Sequence, residues 1–315
     1  MDIWQFIQTK LIAGQRLMLL VVLDSQGSSA GQQGFKMAVA QDGATFGTIG
    51  GGIMEFKLVQ RAGKLLEEKP LPFLLRQHHD LQADENRSGM ICSGSQSVAF
   101  IPLDDSVLPG LEALTACIGQ GAAGLLQLSP TGFAFLEGEE REALLFSRID
   151  SDTQWVYEEV LGIPNTLLIF GGGHISLAVS RQFQLLGFQV AVFDNRPKLP
   201  MFQDNAIAGR KEVVDYQQIE RLVPEGRNVY VVIMTASHHS DALILEQLLE
   251  KNVRYLGMLG SKNKVNTIFD SLRRKGYAEE QLQRVAAPIG LKINSHTAAE
   301  IAVSIAAEVI GVKNG

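Results

Sequence analysis

The chain has 315 residues, of which 46% are hydrophobic and 20% are charged. This composition predicts a folded, soluble protein with enough apolar material for two cores. The charge is unevenly distributed, with a net charge of −9 over residues 1–164 and +3 over residues 165–315. Broad nucleic-acid binding is not expected, because it needs a basic face and the first half is acidic.

Neither a membrane-spanning segment nor a cysteine framework is expected. The longest apolar run near the start, residues 17–23, is too short to cross a bilayer and is predicted to be a buried strand rather than a signal peptide. Cys92 and Cys117 are too few for a disulfide framework, and the sequence has no CxxC or Cys/His cluster of the kind that binds zinc. We therefore expect a protein of the reducing cytoplasm.

In the first half, helical and strand-like patterns follow each other without regular alternation. Helices are predicted over residues 2–13 and 53–68, the second of which ends before Pro70. Strands are predicted over residues 17–23, 35–40, 45–47, 73–79 and 96–103. This mixture predicts an α+β domain over residues 1–130. Residues 131–164 have no strong pattern, so we predict a linker there, in which short strands are an alternative.

From residue 165 onward, strands and helices alternate. Strands are predicted over residues 166–170, 189–193, 228–234 and 255–258, and helices over residues 175–186, 242–251, 264–275 and 298–310. This alternation predicts a parallel sheet with right-handed crossovers. The domain over residues 165–315 is thus predicted to be a Rossmann-like α/β domain.

A glycine-rich loop joins the first strand and the first helix of this domain. Gly171 would allow the tight turn, Gly173 would let a pyrophosphate approach the backbone, and Ser176 would let the strand and helix pack closely. The helix N-terminus would offer N–H groups to phosphates. Asp194 follows Gly173 by 21 residues, where an acid would accept a hydrogen bond from a ribose hydroxyl. The alternative is a Rossmann domain that has lost or changed its nucleotide.

Short motifs occur in a fixed order along nearly the whole chain. They lie at residues 27–37, 47–55 (GTIGGGIME), 92–94, 171–176, 194–197 (DNRP), 255–262 (YLGMLGSK) and 288–303. Together they resemble the XdhC/CoxI family, the accessory factors that mature xanthine dehydrogenases and related molybdenum hydroxylases. The chain departs from the family pattern at Gln33, Ser93 and Ser97, all in the first half.

The resemblance implies a function in cofactor handling rather than in catalysis. It implies a homodimer that binds molybdenum cofactor, assists its sulfuration with a cysteine desulfurase, and delivers it to an apo-molybdenum hydroxylase. We expect Cys92 to be the metal ligand. The residues expected to bind the cofactor are Gly50, Gly51, Gly52, Glu55, Cys92, Gly171, Gly172, Gly173, His174, Asp194, Arg196, Ser261 and Lys262.

Several of these candidates also have a structural interpretation. The glycines at residues 50–52 are alternatively a tight turn before a helix, and Glu55 a favourable charge at that helix N-terminus. Cys92 is alternatively a small buried residue. His238, His239 and Asp241 follow a strand at the ligand edge of the predicted sheet, but they supply too few ligands for a metal.

Two other functions are compatible with the sequence. One is an NAD(P)-dependent oxidoreductase, in which Asp194 would favour NAD over NADP, although the sequence has no Tyr-x-x-x-Lys motif. The other is a purely structural or regulatory Rossmann protein. We expect the working site to lie between the two domains, where three first-half loops, residues 27–34, 50–52 and 92–94, would converge on one ligand at the carboxyl edge of the second-half sheet. Cys92 would then lie toward the metal end of the cofactor and residues 171–176 toward its phosphate end.

Overall fold

The computed structural model describes residues 2–27, 29–68, 70–78, 94–139, 141 and 143–314. The chain divides into two compact units, residues 1–163 and 164–315. Cys92, the expected metal ligand, lies outside the described residues. No helix in the described ranges is long and apolar enough to span a membrane.

The first unit is an antiparallel α+β structure built on two sheets. The five-stranded sheet has the order β3-β2-β1-β5-β4 and the four-stranded sheet the order β7-β6-β9-β8. The helices are α1 (Ile3–Ile12), α2 (Gly52–Glu68) and α3 (Leu108–Gln120). The strands are β1 (Leu17–Gly27), β2 (Lys36–Ala40), β3 (Thr45–Gly47), β4 (Phe73–His78), β5 (Gly94–Leu103), β6 (Gly124–Ser129), β7 (Gly132–Glu137), β8 (Leu145–Ser151) and β9 (Gln154–Leu161).

The central strand β1 explains the apolar run at residues 17–23. Side chains alternate between the two faces of a strand, and both faces of this sheet are covered. Leu17 and Leu19 pack on one face, in a core that also contains residues of α1 and α3. Met18 and Leu20 pack on the other face, in a core that contains residues of α2. The run is therefore continuous rather than alternating.

The segment expected to be a linker, residues 131–164, instead belongs to the first unit up to residue 163. It forms β7, β8 and β9, and Trp155 and Tyr157 are buried in the same core as Leu17. The outer strand β8 alternates between exposed and half-buried residues, so it carries no strong apolar run. Such one-sided strands give a weak sequence signal, which is why the segment resembled a linker.

The second unit has the predicted Rossmann architecture. Its six-stranded parallel sheet has the order β12-β11-β10-β13-β14-β15, which is the doubly wound order 3-2-1-4-5-6. The strands are β10 (Thr166–Phe170), β11 (Gln189–Asp194), β12 (Arg210–Val213), β13 (Gly226–Ile233), β14 (Val253–Met258) and β15 (Val285–Ala286). The helices are α4 (His174–Leu185), α5 (Pro200–Gln203), α6 (His238–Leu248), α7 (Lys262–Arg274), α8 (Glu279–Gln283) and α9 (Ala298–Asn314).

This strand order determines where a ligand would bind in the second unit. Strand β10 lies between β11 and β13, so the chain reverses its winding direction beside β10. In open α/β sheets, ligands bind at such a switch point, outside the carboxyl ends of the strands. The loop at residues 171–173 leaves β10 at that edge.

Candidate functional site

The three glycines after β10 have different structural roles. Gly171 has a φ of +112°, and a Cβ there would lie 2.4 Å from the carbonyl oxygen of Met234. At Gly172, a Cβ would lie 2.8 Å from the side chain of Phe202. Gly173 has a φ of −77°, and a Cβ would meet no atom within 4 Å. The fold therefore requires glycine at Gly171 and leaves no room for a side chain at Gly172, whereas it leaves open space at Gly173.

The N-terminus of α4 also differs from those of two other helices at this edge. Gly173 is its N-cap and supplies no side-chain hydrogen bond. By contrast, the hydroxyls of Ser237 and Ser261 cap α6 and α7. An uncapped N-terminus leaves backbone N–H groups and partial positive charge for an anion. His174 is exposed at the first position of α4, so this end of the helix is accessible to a ligand.

The third small residue of the motif, Ser176, is buried against the sheet as predicted for close packing. Its Oγ has no hydrogen-bond partner in the described part of the chain. A buried hydroxyl without a partner costs free energy, on the order of 1–3 kcal/mol. One polar atom near the start of α4 is thus unsatisfied by the protein itself.

Asp194, at the end of β11, is fully buried and accepts four hydrogen bonds. Oδ2 accepts from the N–H of Gly172 at 2.6 Å and from Nη2 of Arg196 at 2.8 Å. Oδ1 accepts from the N–H and from Nε of Arg196, both at 2.9 Å. Burial alone would raise the pKa of the Asp194 carboxyl, but the hydrogen bonds from Arg196 and Gly172 lower it below its usual value.

This arrangement differs from the one expected from the sequence. A carboxylate offers about four lone-pair positions in all, and the loop and Arg196 already occupy four on Asp194. Asp194 therefore has no acceptor position left for a ribose hydroxyl. Its structural effect is to hold the glycine loop against the end of β11.

A second buried acid lies at the same edge, beyond β13. Oδ1 of Asp241 accepts from the N–H of Thr235 at 2.9 Å and from its Oγ1 at 2.6 Å. Oδ2 of Asp241 pairs with Nζ of Lys264, which also donates to the carbonyl of Leu259 at 3.0 Å. The loops after β13 and β14 are thus joined by one ion pair.

The sequence had pointed to other residues in these two loops. Lys262 is exposed at the start of α7, and Oγ of Ser261 accepts the N–H of Lys264 as the helix cap. His238 and His239 belong to no potential metal-binding group among the described residues. Lys264, which sequence reasoning missed, is the lysine that pairs with the buried acid.

The two ion pairs give this edge a consistent electrostatic character. The side chains of Asp194 and Asp241 are 0% exposed, whereas those of Arg196 and Lys264 are 43% and 24% exposed. In each pair the acid lies inside and the base faces outward. The bases rather than the carboxylates are therefore the exposed members of the two pairs, so this edge offers hydrogen-bond donors to a ligand.

In the first unit, Glu55 holds the glycine loop that precedes α2. Its Oε2 accepts from Oγ1 of Thr48 at 2.6 Å, from the N–H of Ile49 at 2.8 Å and from the N–H of Gly51 at 3.0 Å. Burial would raise the pKa of Glu55, but these hydrogen bonds lower it below its usual value. Residues 50–52 thus form a turn at the start of a helix. The N–H of Gly51 already donates to Glu55, so it is not free to bind a ligand.

Two of the three first-unit loops expected to converge are in contact. A Cβ at Gly31 would lie 2.3 Å from the carbonyl oxygen of Ile49, and one at Gly50 would lie 2.5 Å from the nitrogen of Gly31. The third loop, which contains Cys92, is described only from Gly94 onward, and Gly94 pairs with Gly27.

A buried glutamine that the sequence did not single out lies beneath these loops. Oε1 of Gln96 accepts from Oγ of Ser29 at 2.9 Å, and its Nε2 lies 3.0 Å from the sulfur of Met54. Gln77 is directly opposite Gln96 in the β4–β5 pair, and its buried Oε1 has no partner in the described ranges. A glutamine in a strand carries no distinctive sequence signal, because its role depends on what packs over it.

The four-stranded sheet supports the first of these loops. Nζ of Lys36 lies 2.6 Å from Glu159 and donates to the carbonyl of Gly34 at 2.9 Å. The hydroxyl of Tyr157 donates to the same Glu159 carboxylate at 2.8 Å. Burial and the neighbouring Glu159 both raise the pKa of Tyr157, so the phenol stays protonated and remains a donor.

Similarity to known proteins extends over both units. The XdhC Rossmann domain matches residues 167–309, and the XdhC and CoxI family matches residues 11–76. The chain is 22% identical over 320 residues to a probable xanthine dehydrogenase subunit of Bacillus subtilis, covering 94% of this chain and 93% of that protein. It is 26% identical over 304 residues to the uncharacterized protein YqeB of Escherichia coli.

The coverage of the second relative is unequal. The alignment takes in 93% of this chain but 43% of the Escherichia coli protein, so the chain spans less than half of that relative. A crystal structure of a xanthine dehydrogenase from Bacillus halodurans aligns with 100% of this chain and 96% of that chain, with a TM-score of 0.72 and 24% identity. The fold is therefore shared over the full length. The family matches fall in both compact units, and the chain belongs to the XdhC and CoxI family.

Proposed function

We propose that this protein is an accessory factor that binds molybdenum cofactor and assists its sulfuration and insertion into a xanthine dehydrogenase-type molybdenum hydroxylase. Membership of the XdhC and CoxI family supports a role in the maturation of such an enzyme. The observation that carries the proposal is the uncapped N-terminus of α4, where Gly173 leaves open space that the fold does not use.

The residues at this edge fit the phosphate group of the cofactor. Molybdenum cofactor is a pterin that ends in a phosphate, and a helix N-terminus with free N–H groups is a site that phosphates prefer. Gly173 and His174 would hold the phosphate through their backbone, with the half-exposed Arg196 guanidinium adding positive charge. Once inserted in the hydroxylase, the cofactor supplies that enzyme's redox chemistry. The accessory protein's own residues bind the cofactor and keep it oriented.

The same geometry disfavours an NAD-dependent oxidoreductase. An NAD site of this fold uses the acid after the second strand to bind the ribose 2′-hydroxyl, and Asp194 is fully engaged. The other buried acid at this edge, Asp241, is paired with Lys264. Neither carboxylate is therefore available as a ribose acceptor or as a general base.

The sulfur chemistry of the proposal depends on Cys92, which the sequence predicts to be the metal ligand. A thiolate is a soft ligand that suits a metal centre of this kind. We propose that Cys92 contacts the metal while a cysteine desulfurase supplies the sulfur, and that the protein acts as a homodimer. The only cysteine in the described ranges, Cys117, is buried, and burial raises the pKa of its thiol. Cys117 is therefore a poor candidate for the same role.

The test is a direct comparison of ligands. Purified protein is mixed with molybdenum cofactor released from a denatured molybdenum hydroxylase, and separately with NADH, and each mixture is passed through a gel-filtration column. We expect molybdenum and pterin to co-elute with the protein, and the loaded protein to activate an apo-hydroxylase. Co-elution of NADH without pterin would overturn the proposal in favour of a dinucleotide-binding protein.

A further inference from the structure

Arg196 and Asp194 form a closed pair at the point where a dinucleotide-binding domain would bind ribose. The guanidinium donates from Nε to Oδ1 and from Nη2 to Oδ2 of the same carboxylate. Two parallel hydrogen bonds of this kind are the strongest arrangement available to an arginine and an acid. The remaining positions on Asp194 are taken by the N–H groups of Gly172 and Arg196.

The pair leaves Arg196 with donors to spare. A guanidinium has five N–H groups, and the two hydrogen bonds to Asp194 use two of them. Its side chain is 43% exposed, and it makes no hydrogen bond to any other described residue. The side chain therefore removes an acceptor from the ligand edge and adds donors to it.

We infer that Arg196 determines the ligand class of this site, favouring a phosphomonoester and excluding nucleotides that bind through a free ribose diol. This inference rests on the proposed function, because it concerns the same loop at Gly173. A ribose diol donates two hydrogen bonds and needs a carboxylate with free acceptors. A phosphomonoester needs donors, which the α4 N-terminus and Arg196 supply.

Removal of the guanidinium should restore the lost acceptors. In Arg196→Ala, the two backbone N–H groups still hold Asp194, one on each oxygen, so each oxygen regains one acceptor position. The carboxylate then faces the ligand edge as it does in dinucleotide-binding domains. Arg196→Gln makes the same change while keeping a neutral donor, and Arg196→Lys keeps the charge but cannot donate in the same bidentate manner.

The experiment is a fluorescence titration of NADH into the full-length protein. We expect Arg196→Ala and Arg196→Gln to bind NADH at least about tenfold more tightly than the parent, with a smaller gain for Arg196→Lys. Competition by ADP-ribose should abolish the signal, and so should the addition of Gly173→Val to Arg196→Ala. Arg273→Ala is the matched control, because Arg273 pairs with Asp270 and Glu279 on the exposed face of α7. It should bind NADH as the parent does.

Circular dichroism of each variant establishes that it is folded before it is titrated. The inference is overturned if the folded variants bind NADH no more tightly than the parent does. Arg196→Lys retains the ion pair's charge and provides a folded variant for this comparison if the other two unfold. Binding of molybdenum cofactor by the parent is measured separately, so failure of the proposed function is distinguishable from failure of this inference.

Discussion

Gly171 and Gly173 lie in one loop, yet the same substitution should have opposite consequences at the two positions. At Gly173 the backbone is ordinary and a Cβ meets nothing within 4 Å. Alanine there lowers the entropy of the unfolded chain, which stabilises by about 0.4–1 kcal/mol. It also replaces glycine by a poorer N-cap, which costs a similar amount of up to about 1 kcal/mol. The free energy of unfolding should therefore change by less than about 0.5 kcal/mol.

At Gly171, by contrast, alanine would cause both backbone strain and steric overlap, and both effects destabilise the protein. A φ of +112° is strained for alanine, and strain of this kind costs on the order of 1–3 kcal/mol. The added Cβ would also overlap the carbonyl oxygen of Met234 at 2.4 Å, so the loop after β13 must move. We expect Gly171→Ala to lower the free energy of unfolding by about 2–4 kcal/mol.

Urea unfolding monitored by circular dichroism measures both effects, and co-elution with molybdenum cofactor measures binding. Gly173→Ala and the larger Gly173→Val should remain folded while their cofactor binding falls, because the new side chain occupies the space of the ligand. Gly311→Val, at a glycine of α9 where a Cβ also meets nothing within 4 Å, is the control. Full cofactor binding by folded Gly173→Val would refute this interpretation of the loop.

Three further predictions concern single acidic or thiol groups. Glu55→Gln should destabilise the protein by about 1–2 kcal/mol. Because the folded-state pKa of Glu55 is lowered from its ordinary value of 4.5, the difference in free energy of unfolding between parent and variant should be full above about pH 4.5 and should shrink in urea titrations at lower pH. Asp194→Asn should cost about 2–3 kcal/mol, because it leaves the guanidinium of Arg196 without its carboxylate, as differential scanning calorimetry can measure. Cys92→Ser should leave the circular dichroism spectrum unchanged and reduce activation of an apo-hydroxylase; full activation would exclude the thiol.

The second unit was predictable because its elements are local and regular. Apolar strands such as β10 and β13 are buried on both faces, so they read as unbroken apolar runs. Gly171 has a positive φ, which favours glycine. In the sequence, a glycine between a strand and a helix already indicates a tight turn of this kind. The family resemblance, stated on short motifs, is confirmed by the matches in both units.

The four-stranded sheet of the first unit was not predictable in the same way. Its outer strand β8 alternates between exposed and half-buried residues, and the exposed ones include the polar residues Arg148 and Asp150. A hairpin of this kind is stable only because Trp155 and Tyr157 reach a core built by residues more than a hundred positions earlier, such as Leu17. Contacts at that separation leave no local trace in the sequence.

The position of Asp194 was predictable from the sequence, but its hydrogen bonding was not. The sequence placed Asp194 at the end of β11, and the structure has it there. Whether that carboxylate is free or paired depends on Arg196, two residues later, whose side chain turns back on it. Similarly, the sequence does not show which of Lys262 and Lys264 pairs with an acid. Both lie in the first turn of α7, and the direction in which each side chain leaves the helix brings Lys264 to Asp241.

The two buried acids at the carboxyl edge show how one fold can present different groups to a ligand. A Rossmann domain fixes where a strand ends and a helix begins, whereas the ligand is selected by the groups that line that edge. Here Asp194 and Asp241 are both turned inward and neutralised by Arg196 and Lys264. Each pairing converts a position that could accept hydrogen bonds into one that donates them. The edge thus keeps the uncapped helix N-terminus at which phosphates bind in this fold, whereas Asp194 has no acceptor position left for a ribose hydroxyl.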